Sequence, residues 1–586
     1  MLDLMKRLTG IVWKGLHRYG WEILLVSVLV LGALLRTAGL DWGEGNHLHP
    51  DERFVTWVTS DMRPVDSISA YFDTANSTLN PHNLGHGFFV YGTWPLFMAR
   101  AVGEAFGQVG FGESEMVGRT LSALFDTLTI LLVYWLARTL YRKDGLAVLA
   151  AALYAFAVLP IQAAHFYTVD SNLVFFITLG LLLAAKAAVR TAKPAALDPL
   201  DYMGGSTPTR RVIEWVRKHS SLLALYALFG VALGMAVASK VSAAPLAAVL
   251  PMAAWVYYQA LPRETRSTQA GALVAAVALA AVVSLVTFRI LNPYAFMGPG
   301  FFGLSINERW LANLKEISVL SSGAAEFPPA LQWANRPITF ALENMIVWGL
   351  GLPLGLAAWT SFGWMGWRIF RNKQNQHLVV WAWTALVFVW QSLNFTRAMR
   401  YQLPIYPALA VIAAWGLVEF LRWAWQRRAA SAAWLRGIAV GLVLITLIGT
   451  AAWAFAFTRI YTRPITRLAA SDWIYQNVPA AITIPIEGET GVTNQPVAYQ
   501  LGDTISAEKP MVLSYRPRAD GNLQRIEFTF ATDMAATGRV KSLFVDVVDV
   551  ASGETLGSAF LQSDFAYTGG DPRGQKAEVT FGQELP

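Results

Sequence analysis

The sequence predicts an all-α polytopic membrane protein of about eleven transmembrane helices, carrying a C-terminal extracytoplasmic β-sandwich-like domain. Three observations carry that expectation. Hydrophobic residues make up 55% of the 586 and charged residues 15%, with a mean hydropathy of +0.40; soluble domains carry about 25% charged residues. Apolar runs of about 20 residues, the length needed to cross a bilayer, recur through the first 458 positions. Beyond them the pattern changes to short alternating runs such as "RIEFTFATD" and "SLFVDVVDV", separated by Gly, Asp, Thr and Pro.

The elements follow in order. Residues 1–20 hold Lys6, Arg7, Lys14 and Arg18 and are expected in the cytoplasm, with the following apolar run read as a retained signal anchor. Spans are expected near 21–40, 118–140, 146–165, 171–189, 221–239, 242–260, 270–290, 338–367, 378–396, 401–421 and 436–458. The first span delivers an acidic outer loop, 41–117, with Asp41, Glu44, Asp51, Glu52, Asp61, Asp66 and Asp73. Within it, 87–108 is apolar but interrupted by Pro95, Arg100 and Glu104.

Positive charge decides that segment. Arg142 and Lys143 belong inside, so an odd number of crossings must separate them from residue 86, and 118–140 supplies one. Residues 87–108 are therefore expected to lie along the outer membrane face. Later basic loops then fall inside: Arg190, Lys193, Arg210, Arg211, Arg217 and Lys218; Arg263 and Arg266; Arg368, Arg371 and Lys373; Arg422, Arg427, Arg428 and Arg436. This loop bias accounts for the net charge of +7 without nucleic acid. With no cysteine, disulfides and thiolate metal sites are excluded. The membrane domain is expected over 21–469 and the outer β-rich domain over 470–586, its sandwich incomplete at "VTFGQELP".

With sides assigned, acids and bases from separate loops collect on the outer face. Asp51 and Glu52 follow the first span in "NHLHPDERF"; His82 and His86 lie in "NPHNLGHG"; Asp170 opens a span; Lys240 sits at a tight turn; Arg397 and Arg400 lie in "NFTRAMRYQLP". Each alone reads equally well as a solvated anchor or a helix cap. Asp126, inside a span, is expected to pair with Arg119 or a hydroxyl. The adjacent carboxylates are harder to dismiss, because neighbouring acids beside an apolar wall suit proton abstraction or metal binding. Cations that can grip a phosphate, opposite carboxylates that can take a proton, describe sugar transfer from a lipid-linked phosphate.

The ordered set of "HPDE", "GHGFFVYGTWPL", "GRTLSALFDTLTILLVYWLARTLY", "HFYTVDSNLVFF", "GVALGMAVASKVSAAPL", "FRILNPYAF", "ENMIVWGLGLPLG" and "MRYQLPIYPALA" resembles the GT-C glycosyltransferases, in the branch of protein O-mannosyltransferases and aminoarabinose transferases. The resemblance covers roughly residues 20–475. It implies the GT-C fold, Asp51 as catalytic base with Glu52 beside it, and Asp170 as an outer-loop acid for acceptor or metal; the residues themselves add His49 and His86 as further acceptor or metal candidates. It also implies Lys240, Arg397 and Arg400 around the donor phosphate. No domain of the kind inserted in eukaryotic O-mannosyltransferases is visible. The expected activity is an inverting transfer of a sugar from a polyprenyl-phosphate donor to a protein, lipid or glycan acceptor on the outer face, without nucleic acid. A divalent metal stays open, with no ligand set assigned. An oligosaccharyltransferase or glycan ligase is the rival enzyme; a transporter or non-catalytic scaffold is the rival outside enzymes.

Overall fold

The computed structural model describes residues 2–190, 208–324, 328–427, 432–477, 480–489, 491–497, 504–517, 519–566 and 573–585. Lys193 and Arg428 of the basic loops lie outside this set. The chain divides into two compact units, Met1–Thr462 and Arg463–Pro586.

The first unit is helical. Eight helices among the described residues are long and apolar enough to cross a membrane, nine if the bent pair Asp144–Ala155 and Val158–Ala164 forms one span. The chain is thus a multi-pass membrane protein. The other two expected spans correspond to the 21-residue helix Leu352–Asn372 and the 16-residue helix Leu378–Leu393. The run 338–367 is not one helix: a π-helical turn, Met345–Gly349, precedes Gly351, whose φ of 81° breaks the chain before Leu352. The segment 87–108 holds only the 13-residue helix Trp94–Phe106, about 20 Å long and too short to cross.

Buried charge in the bundle is met by opposite charge or by backbone carbonyls, as at Arg289, because a low-dielectric interior penalises an unmet charge. Arg36 and Asp126 meet at 2.5 Å, and the Tyr154 hydroxyl donates to Asp126 at 2.5 Å. Arg119 is therefore not the partner of Asp126. The two lie seven residues apart on one helix, about 10 Å along its axis, beyond direct contact.

Two glycines set close approaches beside the first outer loop. Gly118 lies flat against the Tyr167 ring, where any side chain would collide. Gly92 packs on the carbonyl of Ala238 and donates its N–H to Ser239 O at 3.0 Å, which brings Tyr91 beside Lys240.

In the second unit, helix Thr466–Asn477 precedes six strands among the described residues. They are β1 (Ile482–Gly488), β2 (Gly491–Pro496), β3 (Asn522–Ala531), β4 (Lys541–Val548), β5 (Thr555–Ser563) and β6 (Gln575–Leu585). A four-stranded antiparallel sheet has the order β2-β1-β3-β6, and β4 and β5 form a separate hairpin. Ile484, Ile486, Ile526 and Phe581 of the large sheet pack with Val545, Val547 and Ala559 of the hairpin. The alternating runs thus form two layers around one apolar core, because period-two side chains can bury only one face.

Candidate active site

The helix Pro50–Asp61 begins where the chain needs a cap. His49 serves as N-cap, its Nδ1 accepting the N–H of Glu52 at 3.3 Å, and Pro50 occupies the first helical position. This puts Asp51 and Glu52 in the first turn, where the two side chains diverge.

Glu52 turns inward and is fully buried. It accepts Arg119 Nε at 2.8 Å and Nη2 at 2.9 Å, a bidentate fork, and the N–H of Tyr167 at 2.7 Å. Arg119 also pairs with Glu115 and donates to Leu40 O at 2.6 Å, with its guanidinium 4.8 Å from the Trp42 ring. Both carboxylate oxygens of Glu52 therefore accept from fixed donors. The two neighbouring acids thus meet different partners, Glu52 within the protein interior.

Asp51 turns the other way, partly exposed, and pairs with Arg400. Arg400 lines a cavity of about 210 Å³. The same cavity holds Asp170 and Lys240, joined at 2.9 Å, and Tyr91 and Tyr401. Tyr401 is the element that gathers the cations: its ring centre lies 5.4 Å from Lys240 Nζ and 5.6 Å from the Arg400 guanidinium. Burial, followed by the charge of Asp51, pushes the Tyr91 phenol far above its ordinary value, so it remains a neutral hydroxyl. The rest of the wall is mostly apolar, with Leu173, Ile177, Ile317, Val387 and Trp390, and also carries Ser242, Ser321, Gln391, Asn394 and Thr396. The cavity thus has a charged end and an oily body, the form that a phosphate on a hydrocarbon chain would fit.

Asp51, Asp170, Lys240 and Arg400 are brought together as expected from sequence, and His49 stands beside them at the helix cap. Two expected members are elsewhere. His86 pairs with Asp61 Oδ2 at 2.9 Å, at the opposite end of the Pro50–Asp61 helix. That is about 15 Å from Asp51 along the helix axis. The turn Pro81–Leu84 and Gly85 at φ 87° deliver it there. Arg397 is spent on backbone, donating to Ser392 O at 3.2 Å and Arg336 O at 2.6 Å.

His82 has a bracing place. Its Nε2 meets Asn313 Oδ1 at 2.9 Å, and Asn313 also binds Phe89 N at 3.1 Å and Gly87 O at 3.2 Å. Asn313 belongs to the helix Glu308–Ser322, which supplies Leu314 and Ile317 to the cavity wall. Sequence reasoning missed Tyr91, Tyr401, Arg119 and Asn313. Tyr91, Arg119 and Tyr401 all lie in the quoted runs "GHGFFVYGTWPL", "GRTLSALFDTLTILLVYWLARTLY" and "MRYQLPIYPALA", and Tyr401 is in addition adjacent to Arg400.

Among the described residues, no three His, Cys, Asp or Glu side chains group closely enough to hold a metal ion. The acids of the site are each matched to a cation, so this donor set does not fit a divalent ion, and no step below is routed through one.

Residues 57–294 match the sequence model of the family described as dolichyl-phosphate-mannose-protein mannosyltransferase. This match bears out the resemblance drawn from the motifs, over less than half of the chain. The undecaprenyl phosphate-alpha-4-amino-4-deoxy-L-arabinose arabinosyl transferase 1 of Pseudomonas fluorescens is 23% identical over 430 residues, covering 72% of this chain. The chain spans 64% of the length of that relative. Among solved structures, ArnT from Cupriavidus metallidurans has a TM-score of 0.43 at 18% identity, over 78% of this chain and 80% of that one. The Archaeoglobus fulgidus oligosaccharyltransferase, in complex with Zn and sulfate, has a TM-score of 0.46 at 17% identity, over 78% and 55%.

Proposed function

We propose that this chain, similar to GT-C glycosyltransferases in its motifs and in the family match over residues 57–294, transfers a sugar from a polyprenyl-phosphate donor to a hydroxyl or amine acceptor at the outer membrane face. The observation that carries the reading is the cavity whose polar end holds the Asp170–Lys240 pair and Arg400, with Asp51 paired to that Arg400, and whose body is mostly apolar. The cytoplasmic placement of the N-terminus and the outer placement of residues 470–586 belong to the same proposal and rest on the basic loops.

In this mechanism the donor phosphate competes with Asp51 for Arg400. Its arrival converts a carboxylate held in an ion pair into a free base, so that binding and activation are one event. The acceptor oxygen or nitrogen attacks the anomeric carbon from the face opposite the phosphate and its proton passes to Asp51. The bond between the anomeric carbon and the phosphate oxygen breaks, and polyprenyl phosphate departs with the electron pair. Lys240 and Arg400 meet the charge that develops on the departing phosphate. Glu52 does not exchange protons; through Arg119 and the Tyr167 N–H it holds the helix turn that aims Asp51.

The test is turnover by the purified, reconstituted chain, read as release of polyprenyl phosphate from a polyprenyl-phosphate sugar. Asp51→Asn keeps the shape of the side chain but cannot accept a proton, and its rate should fall by about 10²–10⁴. Wild-type-like turnover by this variant removes Asp51 from the mechanism.

A further inference from the structure

A second polar cleft lies at the opposite end of the bundle. The helix Asp170–Ala188 measures the distance: Asp170 at its start lines the donor cavity, and Lys186 is about 24 Å further along the axis. Lys186 faces a cleft of about 640 Å³ with Arg138 and Arg142 from the end of the neighbouring helix Phe111–Tyr141. Trp135, Thr139, Asp144 and Val189 complete the lining.

The local backbone makes this grouping. Arg142 takes φ 52° and its N–H closes the helix onto Arg138 O at 2.8 Å. The next helix starts at Asp144, so the reversal brings Arg138, Arg142 and Asp144 around one corner. Arg138 is neutralised by Asp144 at 2.5 Å. Arg142 and Lys186 have no carboxylate partner among the described residues. Trp135, 44% exposed, stands one turn further into the apolar region.

Topological anchors alone need only reach water. Here two uncompensated cations from different helices converge on a concavity whose lining includes a partly exposed indole. A doubly cationic corner at one end of a bilayer-length helix suits a phosphate ester, and the indole suits the glycerol and acyl region attached to it. We infer that this cleft binds the phosphate of an anionic phospholipid headgroup, in the leaflet opposite the Asp51 site. Free phosphate offers the same anion without the acyl chains.

The test uses the full chain in nanodiscs of phosphatidylcholine with a minor fraction of phosphatidylglycerol, and counts phosphatidylglycerol retained on the protein by native mass spectrometry. The double variant Arg142→Gln with Lys186→Gln should lower apparent affinity about 30-fold, since each cation near such a headgroup contributes about fivefold. The Arg142→Lys with Lys186→Arg variant keeps both charges and should retain most of the lipid, which separates lost charge from lost folding. Retention that excess inorganic phosphate leaves untouched supports the lipid as the source. Ready displacement by inorganic phosphate overturns the lipid assignment in favour of free phosphate. Equal retention by the wild type and the glutamine double variant overturns the site itself.

Discussion

Glu52→Gln separates structure from chemistry at the first turn of the Pro50–Asp61 helix. In the native chain Glu52 satisfies two Arg119 N–H groups, at 2.8 and 2.9 Å, and the Tyr167 N–H at 2.7 Å, all out of water. Glutamine offers one carbonyl oxygen for three donors, and its amide group must face a guanidinium that also only donates. Removing one partner of a buried ion pair costs about 3–5 kcal/mol. Arg119 keeps Glu115 and Leu40 O, which places the expected loss at the lower end, about 3 kcal/mol. The assay is paired: a thermal or denaturant unfolding scan of the purified protein, and steady-state sugar transfer below the transition. Stability should fall clearly while turnover of the folded fraction falls much less than for Asp51→Asn. Unshifted unfolding together with abolished turnover would refute the reasoning and give Glu52 a chemical role.

Arg400→Ala removes a charge-assisted contact of about 1.5–3 kcal/mol, so donor affinity should fall tenfold or more in a titration with polyprenyl phosphate. Arg397→Ala should leave that titration nearly unchanged, because the Arg397 guanidinium is bound to Ser392 O and Arg336 O; an equal loss would return Arg397 to the donor site. His49 is held below its ordinary value of 6.5, first by burial, with Asp51 opposing and Arg400 reinforcing. Below that pH the unfolded chain binds the proton more readily, so stability is lost as pH falls from 6.5 towards the folded value. His49→Asn, which can still cap, should flatten that slope in unfolding scans; an unchanged slope assigns it to other groups. A cysteine at position 143 or 213 should stay unlabelled by an impermeant reagent in intact cells, and labelling would invert the proposed orientation.

The sequence made the membrane elements legible because hydropathy and loop charge are one-dimensional signals. It also found Asp51, Asp170, Lys240 and Arg400, since topology alone put them on one face. What it could not give was lateral position on that face. Arg397 and Arg400 are three residues apart, yet residues 395–397 are not helical, so the spacing does not predict a shared direction. His86 follows Asp51 in the same loop but is turned away by Gly85 at φ 87°. Arg119 sits inside a long apolar helix, and its pairing with Glu52 spans 67 positions. Breaks inside spans, as at Gly351, depend on a backbone dihedral that a hydropathy average cannot register. Alternation after residue 480 was enough to announce strands, but not that β4 and β5 would stand apart from the other four.

The divergence of Asp51 and Glu52 makes their order a form of information. Neighbours on a helix point about 100° apart, so one position addresses Arg400 and the next the interior. Exchanging the letters, by Asp51→Glu with Glu52→Asp, would preserve composition, net charge and hydropathy. The shorter acid would then fall short of the Arg119 fork, and the longer one would crowd Arg400. Two residues that chemistry ranks as near synonyms have become non-interchangeable words, and only their syntax along the helix carries the meaning.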